Sequence, residues 1–116
     1  MHVTQIDFDH RLIDNLFNSR IRFATIAYLL NESERSFVDI RNCVNATKGN
    51  LNNHLKKLEA AKYVERIKFF VNRKPISIYK VTGKGRTAFY RYSMYIHKFC
   101  LDDTIMASQA RMKRTL

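Results

Sequence analysis

The stretch Ala46–Val64, Ala-Thr-Lys-Gly-Asn-Leu-Asn-Asn-His-Leu-Lys-Lys-Leu-Glu-Ala-Ala-Lys-Tyr-Val, constrains this chain more than any other. Leu51, Leu55 and Leu58 recur at i, i+4 and i+7, the rhythm of a helix that buries one stripe. At about 100° per residue, Gly49, Asn50, Asn53, Lys56 and Lys57 fall on the opposite side, so the exposed face is amide and ammonium. Thr47 stands where its hydroxyl can accept a first-turn backbone N–H, which places Lys48, Gly49 and Asn50 in that turn. Any solvated helix face is polar, but two features set this one apart. Asn50, Asn52 and Asn53 weaken a helix for no structural return, and no acid precedes Glu59 to form the usual i, i+4 pairs. Asparagine matches the N6 and N7 edge of adenine, and lysine reaches guanine O6/N7 or a phosphate. Such a face suits a DNA groove.

The charge supports a polyanionic partner through its position. The chain of 116 residues has a net charge of +11, and all of the excess lies between Lys48 and Lys98, where 13 Lys or Arg face only Glu59 and Glu65. DNA, RNA and an anionic membrane all qualify on charge alone. With 46% apolar residues the chain has enough for one ordinary core. Cys43 and Cys100 show no framework spacing, which fits a reducing compartment. No apolar run approaches a membrane span and the N-terminus lacks a signal-peptide plan, so the sequence predicts a cytoplasmic protein without membrane contact.

Taken in order, residues 1–18 predict a short lead and a helix capped by Asp7 or Asp9, with Leu12, Ile13, Leu16 and Phe17 as its stripe. Asn18 and Ser19 read as break and cap, and a second helix follows from about Arg20 to Leu30 with Ile21, Ile26, Leu29 and Leu30 inward. Residues 31–35 read as polar loop. Ser36 can cap a short helix carrying Phe37, Ile40 and Val44, ending near Asn42 or Cys43. Only about four residues then precede the Leu51 helix, the tight spacing of a helix-turn-helix. Tyr63–Phe70 and Ile76–Val81 read as the two strands of a hairpin with Val71–Pro75 as its loop. Arg66, Lys68, Arg73, Lys74 and Lys80 make that hairpin basic, while Asn72 and Pro75 suit its tip. Thr82 can cap a last helix that runs to about Leu101, with Phe89, Tyr92, Ile96 and Phe99 as its stripe. Tyr90, Met94 and Tyr95 add apolar surface away from that stripe, which predicts an intermolecular seam. The tail beyond Asp103, with Arg111, Lys113 and Arg114, is left open between helix and frayed end.

Together these residues resemble a known family. The run Thr47–Val64, followed by Arg73-Lys-Pro75, Tyr79 and Val81-Thr-Gly-Lys-Gly-Arg86, is similar to small winged-helix transcriptional regulators related to MarR and ArsR proteins. The resemblance covers about Arg20–Phe99 and rests on the ordered series of motifs. It implies a mainly α fold with a small β-hairpin, a winged helix-turn-helix forming one domain over residues 1–116. It also implies a homodimer held by terminal helices, with double-stranded DNA as partner. Carried over, the groove-facing candidates are Thr47, Lys48, Asn50, Asn52 and Asn53, with His54 and Lys56 nearer the phosphates. The wing candidates are Arg66, Lys68, Arg73 and Lys74. The dimer seam would take Leu12, Leu16, Phe17, Tyr92, Tyr95, Ile96 and Phe99. Lys62 and Asn72 depart from the glycines usual at the helix end and the wing, which asks both for a left-handed backbone.

Other chemistries fit less well. His97 and Cys100 share a helix face near Asp102, but two soft ligands do not make a metal site, and no cofactor is implied. Cys43 reads as buried packing rather than as a thiol sensor. Gly83-Lys84-Gly85 lacks full P-loop spacing and reads as a helix entry with a backbone-contacting lysine. No catalytic motif or paired carboxylates suggest an enzyme. The rival readings are a winged-helix adaptor that binds proteins without specific DNA, and an RNA binder, which lacks stacking aromatics at the basic tip.

Overall fold

Four small hydroxyl side chains set where the helices begin. In the computed structural model, which describes residues 9–100 with side chains through Lys98, each hydroxyl accepts the backbone N–H three residues on. Ser19 accepts from Arg22 at 3.3 Å, Ser36 from Asp39 at 3.1 Å, Thr47 from Asn50 at 3.2 Å and Thr82 from Gly85 at 3.0 Å. The helices they open are α1 (Arg20–Glu32), α2 (Phe37–Val44), α3 (Lys48–Ala60) and α4 (Gly83–Cys100). All four are caps that the sequence predicts.

Three antiparallel strands complete the fold: β1 (Glu34–Ser36), β2 (Val64–Val71) and β3 (Lys74–Val81), in the order β1-β3-β2. The core between sheet and helices consists of Phe17, Ile26, Leu29, Ile40, Leu51, Leu55, Leu58, Val64 and Tyr79. This is the expected winged helix-turn-helix, a mainly α fold with a small sheet. No helix among the described residues is long and apolar enough to cross a membrane.

Two chain reversals rely on left-handed residues. Lys62 has φ 64° and ends α3, with its N–H donating to the Glu59 carbonyl and the Tyr63 N–H donating to the Leu58 carbonyl, both at 2.9 Å. That pair of bonds is a Schellman closure, made here on lysine instead of glycine. At the wing tip Asn72 (φ 50°) and Arg73 (φ 67°) form a two-residue turn, since Val71 pairs directly with Lys74. Two consecutive left-handed residues match the twist of a tight hairpin.

Several expectations need correction. The first helix is not present over Leu12–Phe17: two single 3-10 turns, His10–Leu12 and Asn15–Phe17, stand there, each capped by an aspartate, Asp9 and Asp14. Asp14 interrupts the run with a cap of its own, so the apolar spacing never becomes a continuous helix. Asp7 lies outside the described residues, as do Leu101 and the tail. The polar stretch 31–35 contains the start of β1, which has no apolar signal and is held by pairing Arg35 with Tyr79 and Ser36 with Ile78. Val71 belongs to β2, and Lys74 and Pro75 to β3, so the expected loop shrinks to Asn72 and Arg73. Val71 and Lys74 flank the turn as a hydrogen-bonded pair, so alternation makes Phe70 and Pro75 a non-bonded pair, and the missing proline N–H faces away from β2. Cys43 is exposed, because the stripe through Phe37, Ile40 and Val44 already seats α2.

Phe17 is also placed differently from its expected seam position. It is 2% exposed, stacked on Tyr63 at 5.5 Å and set against Phe89 and Tyr92, both at 5.2 Å. It therefore has no surface left for a second subunit. Tyr63 anchors the same corner. Its hydroxyl donates to Asp14 at 2.5 Å, and burial followed by that hydrogen bond pushes the phenol up to about 12.

Candidate nucleic-acid interface

The turn between α2 and α3 is three residues, Asn45 to Thr47, opened by a left-handed Asn45 at φ 54°. Arg41 reinforces it by donating from Nε to the Ala46 carbonyl at 3.3 Å. With the turn fixed and Leu51, Leu55 and Leu58 fully inside, the outer face of α3 follows: Lys48, Gly49, Asn50, Asn52, Asn53, Lys56 and Lys57 are all exposed. A Cβ at Gly49 would meet nothing within 4 Å, so the first turn presents open backbone.

The flanks of α3 are occupied. Glu59, its single acid, turns to the wing and faces Arg66 across 3.7 Å. Arg66 sits on β2 opposite Tyr79, whose phenol is raised first by burial and then by Glu59, with Arg66 opposing. On the other flank His54 is half-buried, with Nδ1 2.8 Å from a guanidinium nitrogen of Arg22. Because arginine only donates, Nδ1 must accept, which requires neutral imidazole with its proton on Nε2. Burial, then Arg22, then Lys57 lower the His54 pKa from 6.5. Arg22 also donates to the carbonyls of Leu16 at 2.7 Å and Asn15 at 3.4 Å, tying the N-terminal 3-10 turn to both helices. His54 thus serves an internal joint, whereas the sequence places it near phosphates.

Thr47 is spent as the cap of α3, and its exposed position leaves the helix start accessible. Lys68, Arg73 and Lys74 are exposed along the wing. A cleft lined by Phe37, Lys48, Gly49, Asn52, Arg66, Ser77 and Tyr79 joins the N-terminal end of α3 to the wing. A neighbouring cleft adds Arg41, Val38 and Pro75. Arg41 was not among the sequence candidates; its only signal is a cation in the last turn of the helix preceding the tight turn. Across these elements the clefts bring Lys48, Asn52, Arg41 and Arg66 to one side of the molecule.

Of the seam candidates, Leu12 is 59% exposed, while Leu16, Tyr92, Tyr95 and Ile96 are half-buried and Phe99 lies outside the described side chains. Tyr95 donates from its hydroxyl to the Asp9 carbonyl at 2.8 Å. Among the described side chains, the openly apolar residues of α4 are Tyr90 and Met94, one turn apart. The Cys100 side chain is likewise outside the described set, and among the described residues no three His, Cys, Asp or Glu gather where they could hold a metal.

Comparison with known proteins agrees with this geometry. The family described as winged helix DNA-binding domain matches residues 21–100. An uncharacterised protein of Methanocaldococcus jannaschii is 39% identical over 77 residues, 66% of this chain and 84% of its own. The structure of a transcriptional regulator homologue from Pyrococcus horikoshii superposes with a TM-score of 0.63 at 22% identity, covering 76% of this chain and 91% of that one. A MarR mutant from E. coli, complexed with operator DNA, superposes at 0.57 with 14% identity, covering 88% and 83% respectively. Similarities at that identity speak for the fold, which is that of MarR-like transcriptional regulators. The matched segment spans the helix-turn-helix, the wing and α4, and on it the chain belongs to the winged-helix DNA-binding domain family.

Proposed function

We propose that the protein is a dimeric, sequence-specific regulator of transcription that binds duplex DNA in the cytoplasm, with α3 in the major groove and the wing on the flanking backbone or minor groove. The observation that carries this reading is the withdrawal of Glu59 to Arg66, which leaves the outer face of α3 with amides and ammonium groups alone. Asn50, Asn52 and Asn53 supply paired donors and acceptors for base edges. Lys48, Lys56, Lys57, Arg73 and Lys74 supply phosphate contacts, whose counterion release makes affinity fall steeply with salt.

Exposed apolar surface supports the dimer. Tyr90 is 65% exposed, Met94 47% and Leu12 59%, and a two-fold partner across α4 would cover them. Two recognition helices related by that axis would read the halves of a roughly palindromic site.

Selection of bound duplexes from a random pool, with the mass in solution measured alongside, tests both parts. Asn53→Ala should cost about 1–3 kcal/mol on the selected site and less on random DNA. Arg73→Ala should weaken all sequences alike and lower the salt slope by about one. Equal losses on both DNAs for Asn53→Ala would refute the readout role, and a monomeric mass on DNA would refute the dimer.

A further inference from the structure

Phe70 is 73% exposed, the most exposed large apolar side chain among the described residues, and it sits in a strand one pair from the wing tip, so the basic wing does carry the exposed aromatic that the sequence reading denies to its tip. Its cross-strand partner is Pro75, so the two form an apolar pair on one face. Strand alternation sets which face. Val64 and Val81, Arg66 and Tyr79, Lys68 and Ser77, and Phe70 and Pro75 follow one another on the same side. Val64 and Tyr79 of that series are buried in the core, and Arg66, Ser77 and Tyr79 line the cleft shared with Lys48, Gly49 and Asn52 of α3. The apolar pair therefore continues the side of the molecule on which the recognition helix begins. Lys68 shares its face, Arg73 stands in the turn and Lys74 follows on the opposite face, and no acid occurs between Arg66 and Lys98.

A ring held beyond the reach of the core on a basic wing fits a partner that is anionic outside and apolar within. Stacked base pairs seen from the minor groove have that character, and apolar wedges pressed between base steps are a known means of bending DNA. We propose that Phe70, backed by Pro75, is an intercalating wedge: it enters the minor groove beside the α3 site, unstacks one base step and kinks the duplex, while Lys68, Arg73 and Lys74 hold the phosphates. The inference rests on the DNA-binding reading above and adds an act of deformation to it. Flexible A·T-rich pyrimidine–purine steps at the wing position would then be preferred without any hydrogen-bonded readout there.

The test uses the full chain and a duplex recovered by selection, extended with A·T-rich flanks carrying 2-aminopurine at successive adenines and donor and acceptor dyes at the ends. The native chain should give a several-fold rise in 2-aminopurine fluorescence at one flank step and a bend of about 20–90°. Phe70→Ala should still bind but lose both signals. Phe69→Ala, which removes an equal volume from the opposite face, should keep both. The inference is overturned if Phe70→Ala retains the bend and the fluorescence rise, or if Phe69→Ala loses them equally. It is also overturned if Phe70→Ala instead abolishes binding to phosphatidylserine vesicles while leaving the bend intact, which would make the pair a membrane contact. Failure of the native chain to bind any duplex would remove the functional reading itself, a result distinct from binding without bending.

Discussion

Gly85 lies in the first turn of α4, against the backbone of Tyr63 in the link between α3 and β2, and replacing it by alanine probes the tightest approach at any of the three glycines. A Cβ there would stand 2.2 Å from the Tyr63 carbonyl oxygen and 2.9 Å from both its carbonyl carbon and Cα. Ordinary contact begins near 3.4 Å, so the oxygen is 1.2 Å too close. Tyr63 has little freedom to withdraw. Its N–H is committed to Leu58 at 2.9 Å, its carbonyl accepts from Thr82 at 3.0 Å, and its phenol is held by Asp14. The helix must move instead, which costs about 1–3 kcal/mol as overpacking. Loss of the Thr82 bond to the same carbonyl adds about 1 kcal/mol. Alanine returns roughly 0.5–1 kcal/mol through helix preference. The net is a loss of about 2 kcal/mol, or roughly 10 °C in Tm for a domain of this size. Thermal and urea unfolding followed by far-UV circular dichroism measure it. Gly83→Ala is the control: nothing lies within 4 Å of its Cβ, so that chain should match or slightly exceed the native stability. A Gly85→Ala chain melting at or above the native temperature would refute the close approach.

Three further perturbations separate neighbouring roles. Phe17→Ala should cost about 3–5 kcal/mol at every protein concentration, whereas a seam residue would lose stability mainly on dilution; denaturant titrations at several concentrations decide. Thr25 is fully buried and its hydroxyl has no hydrogen-bond partner, so Thr25→Val should raise stability by about 1 kcal/mol; an equal loss in a urea titration would show that the hydroxyl is satisfied. His54 has a lowered folded-state pKa, so its contribution is present above 6.5 and is lost as pH falls from there through the folded value. Native stability followed from neutral to mildly acid conditions should show that loss and His54→Gln should not; parallel curves would exclude the neutral acceptor role.

Features set by local chemistry were legible in the sequence. Ser19, Ser36, Thr47 and Thr82 announce four helix starts because capping depends on one hydroxyl and the next turn, and Leu51, Leu55 and Leu58 announce the buried side of α3 because helical period is intrinsic. Even the left-handed Lys62 and Asn72 are visible as non-glycine residues at positions that require positive φ. Features set by distant partners were not. Glu34-Arg35-Ser36 becomes a strand only because β3 is beside it, and Asp14 caps a 3-10 turn inside what reads as a helix. His54 turns inward because Arg22, 32 positions earlier, supplies the donor. Phe17 belongs to the core because Tyr63, Phe89 and Tyr92 converge on it from elements far along the chain. On the outer face of α3, where no partner intrudes, sequence and structure name the same exposed residues.

Only Ala61, Lys62 and Tyr63 separate the end of α3 from the start of β2, and the Schellman bonds leave that joint no slack. The two elements proposed to meet a duplex are therefore a single lever whose angle is fixed at one left-handed residue and braced by Glu59 against Arg66. A joint one residue longer or shorter would turn every side chain of β2 to the opposite face and carry Phe70 away from α3. The span between helix and wing is a built-in gauge, set by backbone geometry before any DNA is met.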